Sequence, residues 1–99
     1  MQADDAQHRP TREEFARAVG VNLRRFRLRR GLSQGRLAYL VGISGYTYQK
    51  FERGESKPGT PLNPQLFTLI ALAEVLDVEL SDIAPRPWPA PAGSAGPSS

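Results

Sequence analysis

Twenty-two residues, Ser33 to Gly54 (SQGRLAYLVGISGYTYQKFERG), constrain this chain more tightly than any other stretch. Ser33 and Ser44 are of the type that caps helix N-termini, because a short side-chain oxygen accepts an otherwise orphaned backbone N–H. Gly42 and Gly54 are of the type that ends helices, because glycine takes a left-handed backbone without steric cost. The spacing predicts two short helices, one running from Ser33 to about Val41 and one over about residues 44–53. A tight turn at Val41-Gly42-Ile43-Ser44 joins them. Helices that cross steeply need a small residue at the crossing, which Ala38 supplies. Leu37, Leu40 and Val41 face the core, Tyr48 plugs the angle between the helices, and Phe51 continues the plug one turn on. Tyr46, Gln49, Lys50 and Arg53 are left on the other surfaces of the second helix.

The remaining chain fits around that unit. Thr11 followed by Arg12-Glu13-Glu14 reads as a helix start with acids in the first turn. Phe15, Val19, Leu23 and Phe26 recur at spacings of four, four and three, one apolar stripe of a helix that runs to Arg30. Gly31 stops it, and Gly20 weakens it by about 1 kcal/mol relative to alanine. Glu55 to Pro64 holds three prolines and a glycine and reads as a loop. Asn63-Pro64 is expected to cap a fourth helix, with Leu66, Leu69, Ile70, Ala73 and Leu76 as its buried stripe. Leu80-Ser81-Asp82-Ile83 suggests a last short helix, with Leu80 and Ile83 closing the core. No segment alternates with period two, so the expectation is an all-α fold of about five helices. It would occupy residues 12–84, between a flexible arm (residues 1–11) and a disordered tail (residues 85–99). That tail carries five prolines, two glycines and three serines, too few apolar groups to offset the entropy of ordering it.

Composition narrows the function classes. With 99 residues and 39% hydrophobic residues, the chain can build one modest core. Cysteine is absent, which removes disulfides and thiolate chemistry and suits a reducing, cytoplasmic location. The apolar runs are too short to span a bilayer, and MQADDAQHRP lacks the apolar core of a secretory signal. No membrane association and no enzyme activity are expected. The only histidine, His8, lies in the arm; no metal-ligand spacing and no phosphate-cradling glycine loop occur. No cofactor or metal is implied. Charge is polarised: Arg12 to Lys57 holds eleven Lys/Arg against four Asp/Glu, while Pro58 to Ala84 holds four acids and no base. One basic face is the footprint expected of a protein that meets a polyanion. A solvated basic helix is the plainer alternative.

The sequence resembles the phage Cro and repressor-type helix-turn-helix proteins, the XRE family. The resemblance is carried by Gly31-Leu32-Ser33-Gln34, Leu37-Ala38, Gly42-Ile43-Ser44, Thr47, Phe51-Glu52-Arg53-Gly54 and Pro58. Asn63-Pro64, Leu66, Thr68-Leu69 and Leu72 to Val78 extend it, so that it covers about Val19 to Ala84. It implies a compact, lambda-repressor-like five-helix domain. Such domains bind duplex DNA with the second helix of the motif in the major groove, as transcriptional regulators and commonly as homodimers on inverted repeats.

Position by position, the resemblance implies that Gln34 meets a DNA phosphate. Ser44, Gly45, Tyr46, Gln49 and Lys50 occupy groove-facing positions, and Thr47, Arg53 and Lys57 are placed for phosphates. Arg27 and Glu52 match a pair that forms a partly buried structural salt bridge. Lys50 has the chemistry to donate to guanine O6/N7 or to a phosphate, and Gln49 to pair with adenine. The arginines at 24–30 read either as a solvated face or as phosphate ligands. Three departures stand out: Gly45 replaces a polar base-reading residue, Tyr48 a β-branched aliphatic, and Gly35-Arg36 an acidic pair. The loop after Gly54 is also longer than usual. Two other readings of the same scaffold stay open: an antitoxin-type DNA-binding protein with a toxin partner, and a protein-interaction module that binds no DNA. Nothing in the chain resembles a small-molecule effector domain.

Overall fold

The computed structural model describes residues 9–95. The expectations for most of the arm, including His8, and for the last four residues of the tail lie outside the described residues. Five α-helices follow in chain order: α1 (Arg12–Arg29), α2 (Gln34–Val41), α3 (Gly45–Arg53), α4 (Leu66–Leu76) and α5 (Leu80–Ile83), and a short 3-10 helix spans Ala92–Ala95 in the tail. Two short strands, β1 (Glu55–Lys57) and β2 (Thr60–Pro61), lie between α3 and α4.

Local chemistry sets the helix ends. Thr11 Oγ1 accepts from the Glu14 N–H at 3.0 Å, and Glu14 Oε1 accepts from the Thr11 N–H at 2.9 Å, a complete capping box. Ser33 and Ser44 accept the N–H of Arg36 and Thr47, each at 3.0 Å. Gly42 and Gly54 end α2 and α3 at φ 84° and 77°. Beyond the α2 cap, the Ile43 N–H reaches back to the Ala38 carbonyl at 3.0 Å and closes the turn into α3.

The core lies where α1, α2, α3, α4 and α5 converge. Leu23, Leu37, Tyr48, Leu72 and Ile83 are fully buried there, with Val19, Phe26, Ala38, Phe51 and Leu76 around them. Asn22 Nδ2 donates to the Ile83 carbonyl at 3.0 Å and ties α5 to α1. Helices α1 and α3 approach backbone to backbone. A Cβ on Gly20 would stand 2.4 Å from the Glu52 carbonyl oxygen, and one on Gly54 would stand 2.7 Å from the Ala16 carbonyl oxygen. Gly20 is therefore a packing requirement of this crossing, which offsets its poor helix propensity.

The fold departs from the sequence reading in four places. The segment Glu55 to Pro61 is an antiparallel hairpin, pairing Glu55 with Pro61 and Lys57 with Thr60. Strands of three and two residues are too short to show an alternating pattern. Gly59 at φ 83° behind Pro58 meets the demand of a type II turn for positive φ. Asn63-Pro64 does not cap α4. The Leu62 N–H donates to the Gly54 carbonyl at 2.9 Å, and the chain stays extended through Gln65, the actual N-cap. Of the expected stripe on α4, Ala73 and Leu76 are buried and Leu69 packs against the core, but Leu66 is 59% exposed and Ile70 37%, and Leu72 is buried in their place. α4 is apolar nearly all round, so periodicity could not single out its inner face. Leu40 and Leu80 also face outward, because helices this short turn only one or two large residues inward.

Candidate nucleic-acid interface

The two sides of α3 carry different chemistry. Tyr46, Gln49, Lys50 and Arg53 recur at three- and four-residue spacing, which puts them on one stripe of the helix. Tyr46 is 66% exposed, Gln49 and Arg53 are exposed, and Lys50 is half-buried. The Lys50 ammonium lies 4.6 Å from the centre of the Tyr46 ring, a cation–π contact between the two side chains. Ser44 is exposed at the helix start, and its hydroxyl also lies 3.0 Å from that of half-buried Thr47. Gly45 is half-buried, yet a Cβ there would meet nothing within 4 Å. Its glycine is not demanded by packing. Lys57 is exposed in β1, just after α3.

The opposite side of α3 holds a buried polar network centred on Glu52. Arg27 Nε donates to Glu52 Oε2 at 2.6 Å and Arg27 Nη2 to Oε1 at 3.2 Å, a two-pronged ion pair between α1 and α3. Arg27 Nη1 adds a bond to the Leu32 carbonyl at 2.9 Å. The Tyr48 hydroxyl donates to Glu52 Oε2 at 2.7 Å, and Gln34 Nε2 donates to Oε1 at 2.9 Å. Burial pushes the Glu52 carboxyl up, but the bonds from Arg27, Tyr48 and Gln34 outweigh it and hold it below the ordinary carboxylate value. The Glu52 hydrogen bond raises Arg27 against the lowering effect of burial. Burial, reinforced by Glu52, raises the Tyr48 phenol far above its ordinary range. All three groups keep their neutral-pH forms: a carboxylate, a guanidinium and a phenol.

The sequence anticipated the Arg27–Glu52 pair but not its other two donors. For the Tyr48 hydroxyl, the i, i+4 spacing to Glu52 was the available signal. The sequence assigned the Gln34 side chain outward, whereas one amide N–H is turned inward to Glu52. The second amide N–H remains. So do the backbone N–H groups of Gln34 and Gly35, which as the first residues of α2 have no acceptor within the helix. Of the arginines at the end of α1, Arg25 and Arg29 lie over the Phe26 ring at 4.9 and 5.2 Å, and Arg24 and Arg30 are exposed. Among the described residues, no group of His, Cys, Asp and Glu is placed to hold a metal ion, and no helix is long and apolar enough to cross a membrane.

This arrangement has known counterparts. A family model described as a helix-turn-helix domain matches residues 18–85. A comparison with curated proteins finds no match. Among solved structures, the chain is similar to the restriction-modification controller protein C.AhdI from Aeromonas hydrophila, at 32% identity and a TM-score of 0.59, over 69% of this chain and 94% of that one. It is similar to an HTH_3 family transcriptional regulator from Vibrio cholerae at 32% identity and a TM-score of 0.61, over 74% of this chain and 38% of that one. It is also similar to SinR, a master regulator for biofilm formation solved in complex with DNA. There the identity is 25% and the TM-score 0.57, over 66% of this chain and 95% of that one. With α2, the glycine turn and α3 set as described, the chain belongs to the helix-turn-helix family, as a Cro/repressor-like, XRE-type DNA-binding protein.

Proposed function

We propose that this protein is a transcriptional regulator that reads duplex DNA by inserting α3 in the major groove, using the unit over residues 12–84. One observation carries the reading: α3 divides into a buried face that anchors it and a stripe on which Tyr46, Gln49 and Arg53 are exposed and Lys50 is half-buried. In this reading Gln49, Lys50 and Tyr46 meet base edges, flanked by Ser44 and Gly45. Gln34, Thr47, Arg53 and Lys57 hold phosphates. Open N–H groups at a helix start suit an anion on their own account, and the excess of basic residues between Arg12 and Lys57 supplies the long-range field.

The chain would act as a dimer. Leu66, Phe67, Ile70 and Leu80, on α4 and α5, are exposed apolar side chains outside the basic segment, and Phe67 is 79% exposed. Pairing through that face leaves both copies of α3 free, which matches an inverted-repeat site.

A genomic selection with the purified chain tests both statements. The expected product is an inverted repeat whose affinity falls with salt. Two cations at phosphates (Arg53, Lys57) would give a slope of about −2 per chain in log affinity against log salt. Lys50→Ala relaxes sequence preference, and Gln34→Ala weakens binding to all sequences alike. Failure to enrich any duplex, or binding indifferent to salt, refutes the DNA reading; a single unrepeated half-site refutes the pairing.

A further inference from the structure

Glu52 sits where α1, α2 and α3 meet, and donors from all three close on its carboxylate. Oε2 takes Arg27 Nε and the Tyr48 hydroxyl, and Oε1 takes Gln34 Nε2 and Arg27 Nη2. A carboxylate offers about four lone-pair sites, so the set is filled. The donors do not depend on it equally. Arg27 has a second anchor in the Leu32 carbonyl, and Tyr48 is held by packing at 0% exposure against Phe51 and the core. Among the described residues, Gln34 has no other side-chain hydrogen bond than the one to Glu52.

We propose, resting on the DNA-binding reading above, that Tyr48 is a positioning residue: acting through Glu52, its hydroxyl holds the Gln34 amide ready for phosphate at the start of α2. The asymmetry of the ion pair is the reason. Arg27 is close to Oε2 at 2.6 Å but only 3.2 Å from Oε1, the oxygen that carries Gln34. The terminal torsion of a glutamate is soft. Tyr48 braces Oε2 from within α3; without that brace, the short Arg27 bond can turn the carboxylate toward α1 and away from Gln34. The amide would then have to be ordered at the moment of binding. Kept fixed in the free protein, it presents its second N–H beside the open backbone N–H groups of Gln34 and Gly35 with no such penalty.

The test is a double-mutant cycle with Tyr48→Phe and Gln34→Ala, read as affinity for the selected duplex and for a scrambled one at fixed salt. Tyr48→Phe should weaken both complexes about three- to tenfold, the cost of ordering one flexible side chain. In the Gln34→Ala background it should change affinity by less than about twofold. In the free protein, the Gln34 side-chain amide should pass from a rigid to a flexible order parameter, below about 0.6, on loss of the hydroxyl. An equal Tyr48→Phe penalty in both backgrounds marks a merely structural role and overturns the proposal, as does an amide that stays rigid. A Gln34 amide already flexible in the wild type also overturns the proposal, whether or not Tyr48→Phe folds. Wild type that binds no duplex removes the DNA reading instead, while the amide measurement still reports whether Tyr48 holds Gln34.

Discussion

Gly20→Ala sets two effects of opposite sign against each other. Gly20 lies in the interior of α1, where alanine is better by about 1 kcal/mol in helix propensity. From local structure alone the substitution should stabilise. The crossing argues otherwise: the new Cβ would stand 2.4 Å from the Glu52 carbonyl oxygen and 2.7 Å from that of Phe51. Both are backbone atoms at the end of α3, with no rotamer through which to escape. Relief requires α1 and α3 to part by about 1 Å to reach ordinary contact distance. Over-packing of this kind costs about 1–3 kcal/mol, and the separation also stretches the Arg27–Glu52 pair that spans the same crossing at 2.6 Å. The net expectation is a loss of about 1–2 kcal/mol, and so a fall in Tm of about 4–16 °C for a domain of this size. Thermal and urea melts followed by circular dichroism measure it directly. A Tm that rises, as propensity alone demands, would refute the close approach of the two helices.

Two further outcomes follow from the network and from the reading surface. Because Glu52 is held below its ordinary pKa, its contribution to stability is present above the ordinary value of 4.5 and is lost as pH falls from there toward the folded-state value. Glu52→Gln should flatten that acid limb of the stability profile; wild type and variant losing stability in parallel below pH 4.5 would contradict the assignment. A Cβ added at Gly45 would meet nothing within 4 Å, so on Gly45→Ser melts should move by less than about 0.5 kcal/mol while the selected DNA site changes; a large loss of stability, or an unchanged site, would count against Gly45 as an open reading position.

The motif was legible in the sequence because its punctuation is local. Ser33, Ser44, Gly42 and Gly54 fix helix ends through hydrogen bonds to residues three or four positions away, and so leave a mark on spacing. The inner face of α4 was legible only in part: Leu69, Ala73 and Leu76 were placed inward, Leu72 was not. LFTLIALAEVL offers apolar side chains in every direction, and only its neighbours decide that Leu72 goes in while Leu66 and Ile70 stay out. Gly20 was misread for a related reason. Propensity sees one helix, whereas the need for glycine comes from another helix thirty-one and thirty-two residues along. The hairpin was hidden by brevity, and the Glu52 network by distance: Gln34 lies eighteen residues from it and Arg27 twenty-five.

In the proposed reading, the same geometry separates what the helix reads from what holds it. Along α3, Tyr46, Gln49, Lys50 and Arg53 share the outer stripe, and Tyr48, Phe51 and the Glu52 carboxylate face the other helices. A substitution on the outer stripe removes no core contact, so surface-scale effects of about 0.5 kcal/mol are expected on folding. A substitution at Glu52 touches three helices at once: an Arg27 left buried without its partner carries a penalty of about 3–5 kcal/mol. Base preference on this scaffold can therefore drift with little effect on the fold. Phosphate contact cannot drift as freely. Gln34, which the reading assigns to the DNA backbone, is held by the same carboxylate that ties α1 to α3. On that reading the docking geometry is built into the core, and the sequence read by the helix is not.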